Sequence, residues 1–294
     1  MLYLELLGTL SLRGDSGQVP LAAQQKRPLS LLAILALGGK QGLSRHRVEA
    51  YLWPESSAPR ARHALDQAVY AIRHAVGSEA IVSTGQDLKL NPEFVRVDLW
   101  DFEEAIRARQ WDAAVAIYKG ILGDGFHFGE SQALESWIDT ERARLLQQYQ
   151  AAVEFLAKRS AAAGDHSENV TWRRRLASSD PLSAGATKKL ILALAAAGDR
   201  AGAVKHARQY QARVRQELEM EPDSEIEGLA TALSRPSATE NAADATRSSA
   251  MATSALGESR SEKMDLAERS LRAPLRVERS RKAAVVSFSV IAVL

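Results

Sequence analysis

The sequence predicts a mainly α-helical protein in which a small α+β module precedes an all-α domain. Three observations lead to this class. Short alternating apolar segments flank three helical segments within residues 1–100. Apolar residues recur at helical spacing through most of residues 101–235, and a five-residue sequence is repeated there. A chain of 294 residues with 46% apolar side chains is long enough to bury a core in each part.

Composition excludes several classes of function. The sequence contains no cysteine, so disulfides, thiol nucleophiles and zinc–thiolate sites are excluded. Residues 1–20 lack a basic segment followed by an apolar one, which predicts no secretory signal and a cytoplasmic location. The net charge of +2 is unevenly distributed, because residues 24–75 hold eight lysines and arginines against three acidic residues, whereas residues 101–235 hold 18 against 20. The first part therefore carries the basic surface that is typical of DNA-binding modules.

The N-terminal segments predict strands followed by a helix. Residues 2–21 alternate apolar and polar side chains around a Gly-Asp-Ser-Gly turn at 14–17, a pattern typical of two or three short antiparallel strands. A first helix is predicted from Arg27 to Leu37, with Pro28 tolerated in its first turn. The pair Gly38-Gly39 would end this helix.

Two more helices follow. Ser44 is a candidate N-cap for a helix from Arg45 to Leu52, which Trp53-Pro54 would end. The third helix is predicted over residues 58–76, between Ser57 and Gly77. One helical face of this segment is apolar and consists of Ala61, Leu65, Val69, Ile72 and Val76. The opposite face is polar and consists of Arg60, His63, Gln67, Tyr70 and His74.

The polar face of the third helix is the candidate functional surface. Its side chains are nearly all hydrogen-bond donors, and only Asp66, at the flank, is acidic. Arginine, glutamine and histidine in this arrangement suit a helix that lies in the major groove of DNA and meets phosphates and base edges. The alternative is an ordinary amphipathic helix whose polar face is solvated.

A hairpin completes the first module. Residues 80–90 place four apolar side chains around a turn at Thr84–Asp87, which predicts two antiparallel strands. Small strands, three helices and a terminal hairpin together indicate a winged helix-turn-helix over residues 1–100. In that fold the third helix enters the major groove of DNA. The hairpin, which is called the wing, lies beside this helix.

The second part contains a repeat. Ala161–Asp165 has the sequence Ala-Ala-Ala-Gly-Asp and recurs 34 residues later as Ala195–Asp199, which is the period of the tetratricopeptide repeat. Residues 110–115 read as a more divergent copy of the same turn and helix start. Asp180-Pro181 and Glu221-Pro222 mark further helix starts or stops. We expect residues 101–235 to form stacked helices with a concave surface for a partner, the alternative being a plain helical bundle.

The last sixty residues change composition. Residues 236–275 are rich in serine, alanine, threonine and arginine and predict a disordered linker. Residues 276–294 combine a basic flank with twelve uncharged, mostly apolar residues. About twenty apolar residues span a bilayer, so this tail is read as the start of a transmembrane helix that tethers the protein to the inner face of the cell membrane. The alternative is a short terminal helix or a frayed tail.

Residues 1–235 resemble the bacterial transcriptional activator domain proteins, including the Streptomyces antibiotic regulatory protein type, in which an OmpR-type winged helix is joined to a tetratricopeptide-like domain. The resemblance rests on an ordered series of short matches across about four fifths of the chain. These matches are Leu6-Leu7-Gly8, Arg27-Pro28-Leu29, Leu31-Leu32, Leu52-Trp53-Pro54, Ala61-Arg62, Leu65, Val69, Ile72-Arg73, Val97-Asp98, Phe102, Trp137-Ile138, Glu141–Leu145 and Glu221–Glu225.

The resemblance implies a DNA-binding transcriptional regulator of the activator type, with the helix at residues 58–76 as its recognition helix. It places Arg60, His63 and Gln67 nearest the bases, with Tyr70 on the same face. Phosphate contacts would come from Arg62, Arg73, Lys26 or Arg27, Arg45 and Lys89. The partners it implies are double-stranded DNA, the transcription machinery and a second copy of the chain in a homodimer, the last two through the helical repeats.

The sequence departs from the family pattern at two places. The wing of these proteins has Gly-Tyr where this chain has Asp87-Leu88, which puts an acid close to an approaching phosphate. The helix stop before Glu221-Pro222 has glycine in the family, and here it is Glu219. The first departure weakens the assignment of the wing to DNA, and the second affects a local cap only.

No motif predicts catalysis. The chain lacks a phosphate-binding loop, a nucleophile elbow and a metalloprotease motif, and its six histidines are scattered, so we expect no enzyme activity, no metal site and no cofactor. Two alternatives to a free regulator remain. One is a protein-interaction adaptor, with or without a membrane anchor, whose winged helix no longer binds DNA. The other is a membrane-tethered regulator that combines both functions.

Overall fold

The computed structural model describes residues 1–15, 20–129 and 131–235. Its first ninety-seven residues form six short strands and four helices. These are β1 (Leu2–Glu5), β2 (Ser11–Gly14), α1 (Leu21–Gln24), α2 (Lys26–Leu37), β3 (Leu43–Ser44), α3 (Arg45–Leu52), α4 (Ala58–Val76), β4 (Ile81–Thr84), β5 (Asp87–Leu90) and β6 (Val95–Val97). Single turns of 3₁₀ helix follow α2 and α4, at Gly39–Gln41 and Ser78–Ala80.

The strands form two small sheets. In the first, β1 pairs antiparallel with β2 and parallel with β6, so that Leu4 lies between Leu12 and Val97. The N-terminal antiparallel pair agrees with the sequence, but the third strand comes from residues 95–97. The second sheet has the order β3-β5-β4 and contains the predicted hairpin. Part of the predicted turn at 14–17 lies outside the described residues.

The three predicted helices of this module, α2, α3 and α4, begin and end within a residue of their predicted bounds, because local signals decide them, whereas α1 was not predicted. Ser44 caps α3 by accepting a hydrogen bond from the Arg47 backbone N–H at 3.3 Å. Gly77 ends α4 with φ of 112°. The inward face of α4 buries Leu65 and Ile72 completely. The winged helix-turn-helix arrangement predicted from the sequence is therefore present.

Seven helices make up the rest of the described chain. They are α5 (Asp98–Arg107), α6 (Trp111–Ile117), α7 (Gln132–Ala162), α8 (His166–Ser179), α9 (Ala184–Ala196), α10 (Arg200–Leu218) and α11 (Ser224–Ser234). Each of the helices from α7 to α11 packs on the next one along the chain. This sequential stacking is the arrangement that tandem helical repeats use to bury their apolar faces.

The repeated pentapeptide adopts the same turn at both of its positions. Gly164 and Gly198 have φ of 74° and 84°, and the following aspartates cap α8 and α10 by accepting backbone N–H bonds, both at 2.8 Å. The divergent third copy has the same geometry, because Arg109 takes φ of 56°. In each copy the residue after the left-handed one donates its N–H five residues back, at 2.8–3.0 Å. The same turn between two helices therefore occurs at three places in the helical domain.

One hydrophobic core runs from the first strand into α7. It includes Leu4, Ile34, Phe102, Leu122 and Leu145, so the boundary predicted between residues 100 and 101 falls inside α5 and the core continues across it. The 31-residue helix α7 belongs to this core over its first half and to a second cluster with α8 over its second half. A third cluster joins α8 to α11.

Polar contacts also tie the winged helix to the helical domain. The half-buried Asp98 carboxylate accepts the backbone N–H groups of Leu6 at 2.8 Å, Leu7 at 2.9 Å and Leu99 at 2.7 Å. Burial raises the pKa of Asp98, and the three N–H donors oppose that rise. The indole N–H of Trp100 donates to the Ala36 carbonyl at 2.8 Å. These bonds fix the start of α5 against β1 and α2.

Within residues 1–15, 20–129 and 131–235, no helix is both long and apolar enough to cross a membrane. The same residues hold no group of three side chains suited to bind a metal ion. The predicted linker at 236–275 and the predicted tail at 276–294 lie outside the described residues.

Candidate nucleic-acid interface

The outward face of α4 projects its polar side chains into solvent, as the amphipathic pattern predicts. Arg60, Arg62, His63 and Gln67 are exposed, and Tyr70 is 71% exposed. Neither arginine has a hydrogen-bond or ion-pair partner among the described residues. This face therefore presents two uncommitted guanidinium groups together with hydrogen-bonding side chains.

Neighbouring side chains on this face order one another along the helix. The Gln67 amide lies 3.0 Å from the His63 ring nitrogen Nε2, one helical turn away. The rings of Tyr70 and His74 stack with their centroids 6.1 Å apart. Both contacts reduce the rotamer freedom of groups that would face a ligand, so less conformational entropy is lost on binding.

The acidic residue on this face is neutralised from the neighbouring helix. Asp66 forms an ion pair with Arg45, which stands at the start of α3. Arg45 is 22% exposed and Asp66 is 54% exposed, so the pair lies at the surface where α3 and α4 meet. The pair cancels the one negative charge on the outward face of α4. It also commits Arg45, a predicted phosphate contact, to an internal partner.

Arg73 connects α4 to the wing. Its guanidinium donates to the Ile81 carbonyl oxygen from Nη2 at 2.9 Å and from Nε at 3.2 Å, and to the Ser83 hydroxyl at 3.2 Å. The predicted role of Arg73 was a phosphate contact. In the structure this side chain holds strand β4 against the end of α4.

The wing is held at a second point by close backbone packing. A Cβ on Gly42, which has φ of 80°, would lie 2.3 Å from the Leu88 carbonyl oxygen of β5. The Arg45 backbone N–H donates to the Gln86 carbonyl at 2.9 Å, which fixes the tip of the wing beside the start of α3. Of the two residues that depart from the family pattern, Leu88 is buried and Asp87 is exposed. Lys89 is half-buried.

Two predicted cations lie at the start of α2. Lys26 is exposed and has no partner among the described residues. Arg27 donates to the Leu52 carbonyl at the end of α3, and its guanidinium lies 5.8 Å from the centre of the Trp53 ring. Arg27 therefore caps α3.

Arg47 is also committed within the protein. Its guanidinium lies 5.3 Å from the Tyr51 ring centre and 5.1 Å from that of Trp137, and the centres of these two stacked rings are 5.4 Å apart.

Four of the eight cations in residues 24–75 thus have internal partners, namely Arg27, Arg45, Arg47 and Arg73. Of these eight, Lys26, Lys40, Arg60 and Arg62 have none among the described residues. His46, exposed in the first turn of α3, is a further surface candidate that periodicity alone did not single out.

Comparisons with known proteins agree with this architecture. The structure is similar to that of EmbR from Mycobacterium tuberculosis, solved in complex with a low-affinity phosphopeptide, with a TM-score of 0.55. The sequences are 18% identical, and the alignment covers 86% of this chain and 70% of that chain. At this identity the likeness shows the fold, and it confirms the predicted fold class. No curated protein sequence matches this chain.

A winged helix followed by stacked helices is the fold that this chain shares with EmbR. The sequence identifies its second part more closely. Residues 98–234 match the model of the bacterial transcriptional activator domain, so the chain carries such a domain. The resemblance drawn from the short motifs is therefore confirmed, and the matched family is a regulatory one.

Proposed function

We propose that this regulator binds double-stranded DNA with α4 in the major groove, and that it acts as an activator. The observation that supports this most is the outward face of α4, where Arg60 and Arg62 have no internal partner and Asp66 is neutralised by Arg45. A solvated structural face would not need a paired acid and two unpaired arginines beside ordered hydrogen-bonding groups. Cations that are already committed within the protein contribute less to phosphate binding than free ones.

We assign a role to each side chain from its exposure and its partners. Arg60, His63 and Gln67 are assigned to base edges, with Tyr70 and its exposed ring against the thymine methyl or sugar. Arg62 and Lys26 are assigned to phosphates, since they are exposed and unpaired. Arg73 and Arg45 are assigned to holding the wing and α3 in place. The helical domain would join two copies of the chain or contact the transcription machinery.

The test is fluorescence anisotropy of the full chain on a mixed-sequence duplex, titrated from about 50 to about 200 mM salt. Binding should weaken steeply with salt, and Arg62→Ala should reduce the slope by about one phosphate contact. Arg208→Ala is the matched control, because Arg208 is exposed on α10 and has no partner among the described residues. Equal effects of the two variants would show that α4 is not the DNA-binding surface.

Base readout needs a second measurement. After selection of preferred sites from random duplexes, Gln67→Ala should relax sequence preference without changing the salt slope, because base contacts discriminate and phosphate contacts do not. Absence of binding at the lowest salt would contradict the proposal. That result would favour the adaptor, in which the helical domain alone carries the function.

A further inference from the structure

A groove of about 760 Å³ lies along α8, α9 and α10, away from the winged helix. Its walls carry cationic side chains from two of these helices, and its floor is partly apolar. The residues that matter for its chemistry are Arg174, Ser178, Leu190, Lys205, His206 and Arg213. This groove has no role in the DNA-binding face.

The positive charge in this groove is not used by the fold. Arg174 and Lys205 are exposed and have no hydrogen-bond or ion-pair partner among the described residues. Arg213 lies 3.5 Å from Glu217, and both side chains are about half exposed. The acidic residue in the lining, Asp199, already accepts the Gly202 N–H as the cap of α10. The groove therefore carries a net positive charge, to which Arg174 and Lys205 contribute without an ion-pair partner among the described residues.

His206 adds an unsatisfied hydrogen-bonding group. Its Nε2 atom is buried without a partner among the described residues. Burial, and then the nearby Arg174 and Arg213, lower the pKa of His206, which favours its neutral form. A buried polar atom without a partner is costly.

A second, more apolar pocket of about 440 Å³ continues this groove toward α6 and α7. Arg174 and Ser178 line both cavities, so the two are adjoining. The apolar part includes Ile121, which is 49% exposed, and the stacked rings of Tyr118 and Tyr149, whose centroids are 4.3 Å apart. Exposed apolar surface beside cations suits a ligand that is apolar at one end and anionic at the other.

We propose that this groove binds an acidic peptide segment of a partner protein, with one apolar side chain in the pocket at Tyr118 and Ile121 and carboxylates at Arg174 and Lys205. The inference deepens the proposed partner-binding role of the helical domain and rests on it. Charge complementarity selects the acidic peptide, and the apolar pocket selects a protein side chain over a nucleic-acid backbone, which has no apolar group to place there.

The experiment measures binding of fluorescein-labelled peptides to the full chain by anisotropy. The probe is a tryptophan flanked by glutamates on both sides. Three matched peptides replace the tryptophan with alanine, the glutamates with glutamine, or the glutamates with lysine. The protein variants are Arg174→Glu and Lys205→Glu, and Arg208→Glu makes the same charge change on α10 outside the groove lining.

The acidic tryptophan peptide should bind with a dissociation constant below about 100 μM, and each groove variant should weaken it at least tenfold, which is about 1.4 kcal/mol. Arg208→Glu should change it less than twofold, and the alanine peptide should bind more weakly on the wild-type protein. Equal weakening by Arg208→Glu, no binding up to about 1 mM, or tighter binding of the lysine peptide would overturn the proposal.

The same variants distinguish this inference from the DNA-binding proposal. Anisotropy on duplex DNA without peptide should be the same for Lys205→Glu and Arg208→Glu, because both variants replace a cation by an anion on α10 and leave α4 unchanged. A variant that loses peptide binding but keeps DNA binding then shows an effect on the groove alone. Peptide binding without DNA binding would leave the groove assignment in place and contradict only the function of α4. If a single-stranded oligonucleotide bound this groove more tightly than the acidic peptide, the partner would be a nucleic acid and the inference would be wrong.

Discussion

Replacement of Asp98 by alanine tests the junction between the winged helix and the helical domain. Asp98→Ala removes the acceptor of three backbone N–H groups, two of which belong to the fully buried Leu6 and Leu7. An unsatisfied buried N–H costs about 1–3 kcal/mol, so two of them should lower the free energy of unfolding by about 2–6 kcal/mol. For a unit of this size that corresponds to a fall in Tm of roughly 5–20 °C.

The assay is urea unfolding followed by far-ultraviolet circular dichroism and by tryptophan fluorescence. Asp101→Ala is the matched control, since Asp101 is on the same helix but pairs at the surface with Arg96 at 2.7 Å. A surface ion pair contributes less than about 1 kcal/mol, so this variant should unfold near the wild-type midpoint. If both variants lost the same small amount of stability, Asp98 would not be holding β1, and the junction would depend on apolar packing alone.

Three further perturbations test local features. Glu219→Gly should raise the free energy of unfolding by about 0.5–1 kcal/mol, because Glu219 ends α10 with φ of 54° and glycine adopts this conformation without strain; an unchanged urea midpoint would contradict the strain. Gly42→Ala should lower the free energy of unfolding by more than about 2 kcal/mol, because its Cβ would collide with the Leu88 carbonyl. Gly39 has φ of 65° and open space around it, so Gly39→Ala should lower the free energy of unfolding by only about 1 kcal/mol. Equal losses for the two variants would show that close packing at the wing does not contribute. His206→Gln should reduce the fall in Tm between pH 7.5 and pH 5.5. Because the pKa of His206 is lowered in the folded state, its contribution to stability is present above about pH 6.5 and is lost as the pH falls through the folded-state pKa. Parallel curves of Tm against pH for variant and wild type would show that His206 does not titrate in this way.

Local signals in the sequence were sufficient to predict the boundaries of α2, α3 and α4. A serine before α3 and glycines after α2 and α4 decide where these helices begin and end, and they act within a few residues. The repeated Gly-Asp turns were visible for the same reason, since a left-handed residue followed by a capping carboxylate is a local requirement. Strand β6 was not predicted, because its parallel partner lies more than ninety residues away.

The candidate site shows the same division between local and long-range information. Periodicity predicted which side chains of α4 face outward, and the structure places them there. It could not predict that Arg45 pairs with Asp66 or that Arg73 reaches the Ile81 carbonyl, because both contacts depend on how α3 and β4 dock on α4. The cationic groove was hidden for a similar reason, since Arg174 and Lys205 belong to different helices and meet only in the folded domain.

The length and position of α7 determine how the two parts of the molecule can act together. Its 31 residues run about 46 Å at 1.5 Å per residue, with one end against Tyr51 of the winged helix and the other against α8. A fragment that stops near residue 100 would expose the apolar surface that the first half of α7 covers, so the smallest folded fragment that contains α4 should extend to at least Tyr149. In a dimer joined through the repeats, this rigid connection would fix the phase between two half-sites on the duplex. Inserting half a helical turn of DNA, about five base pairs, between the half-sites should then abolish cooperative binding, and a full turn should restore it.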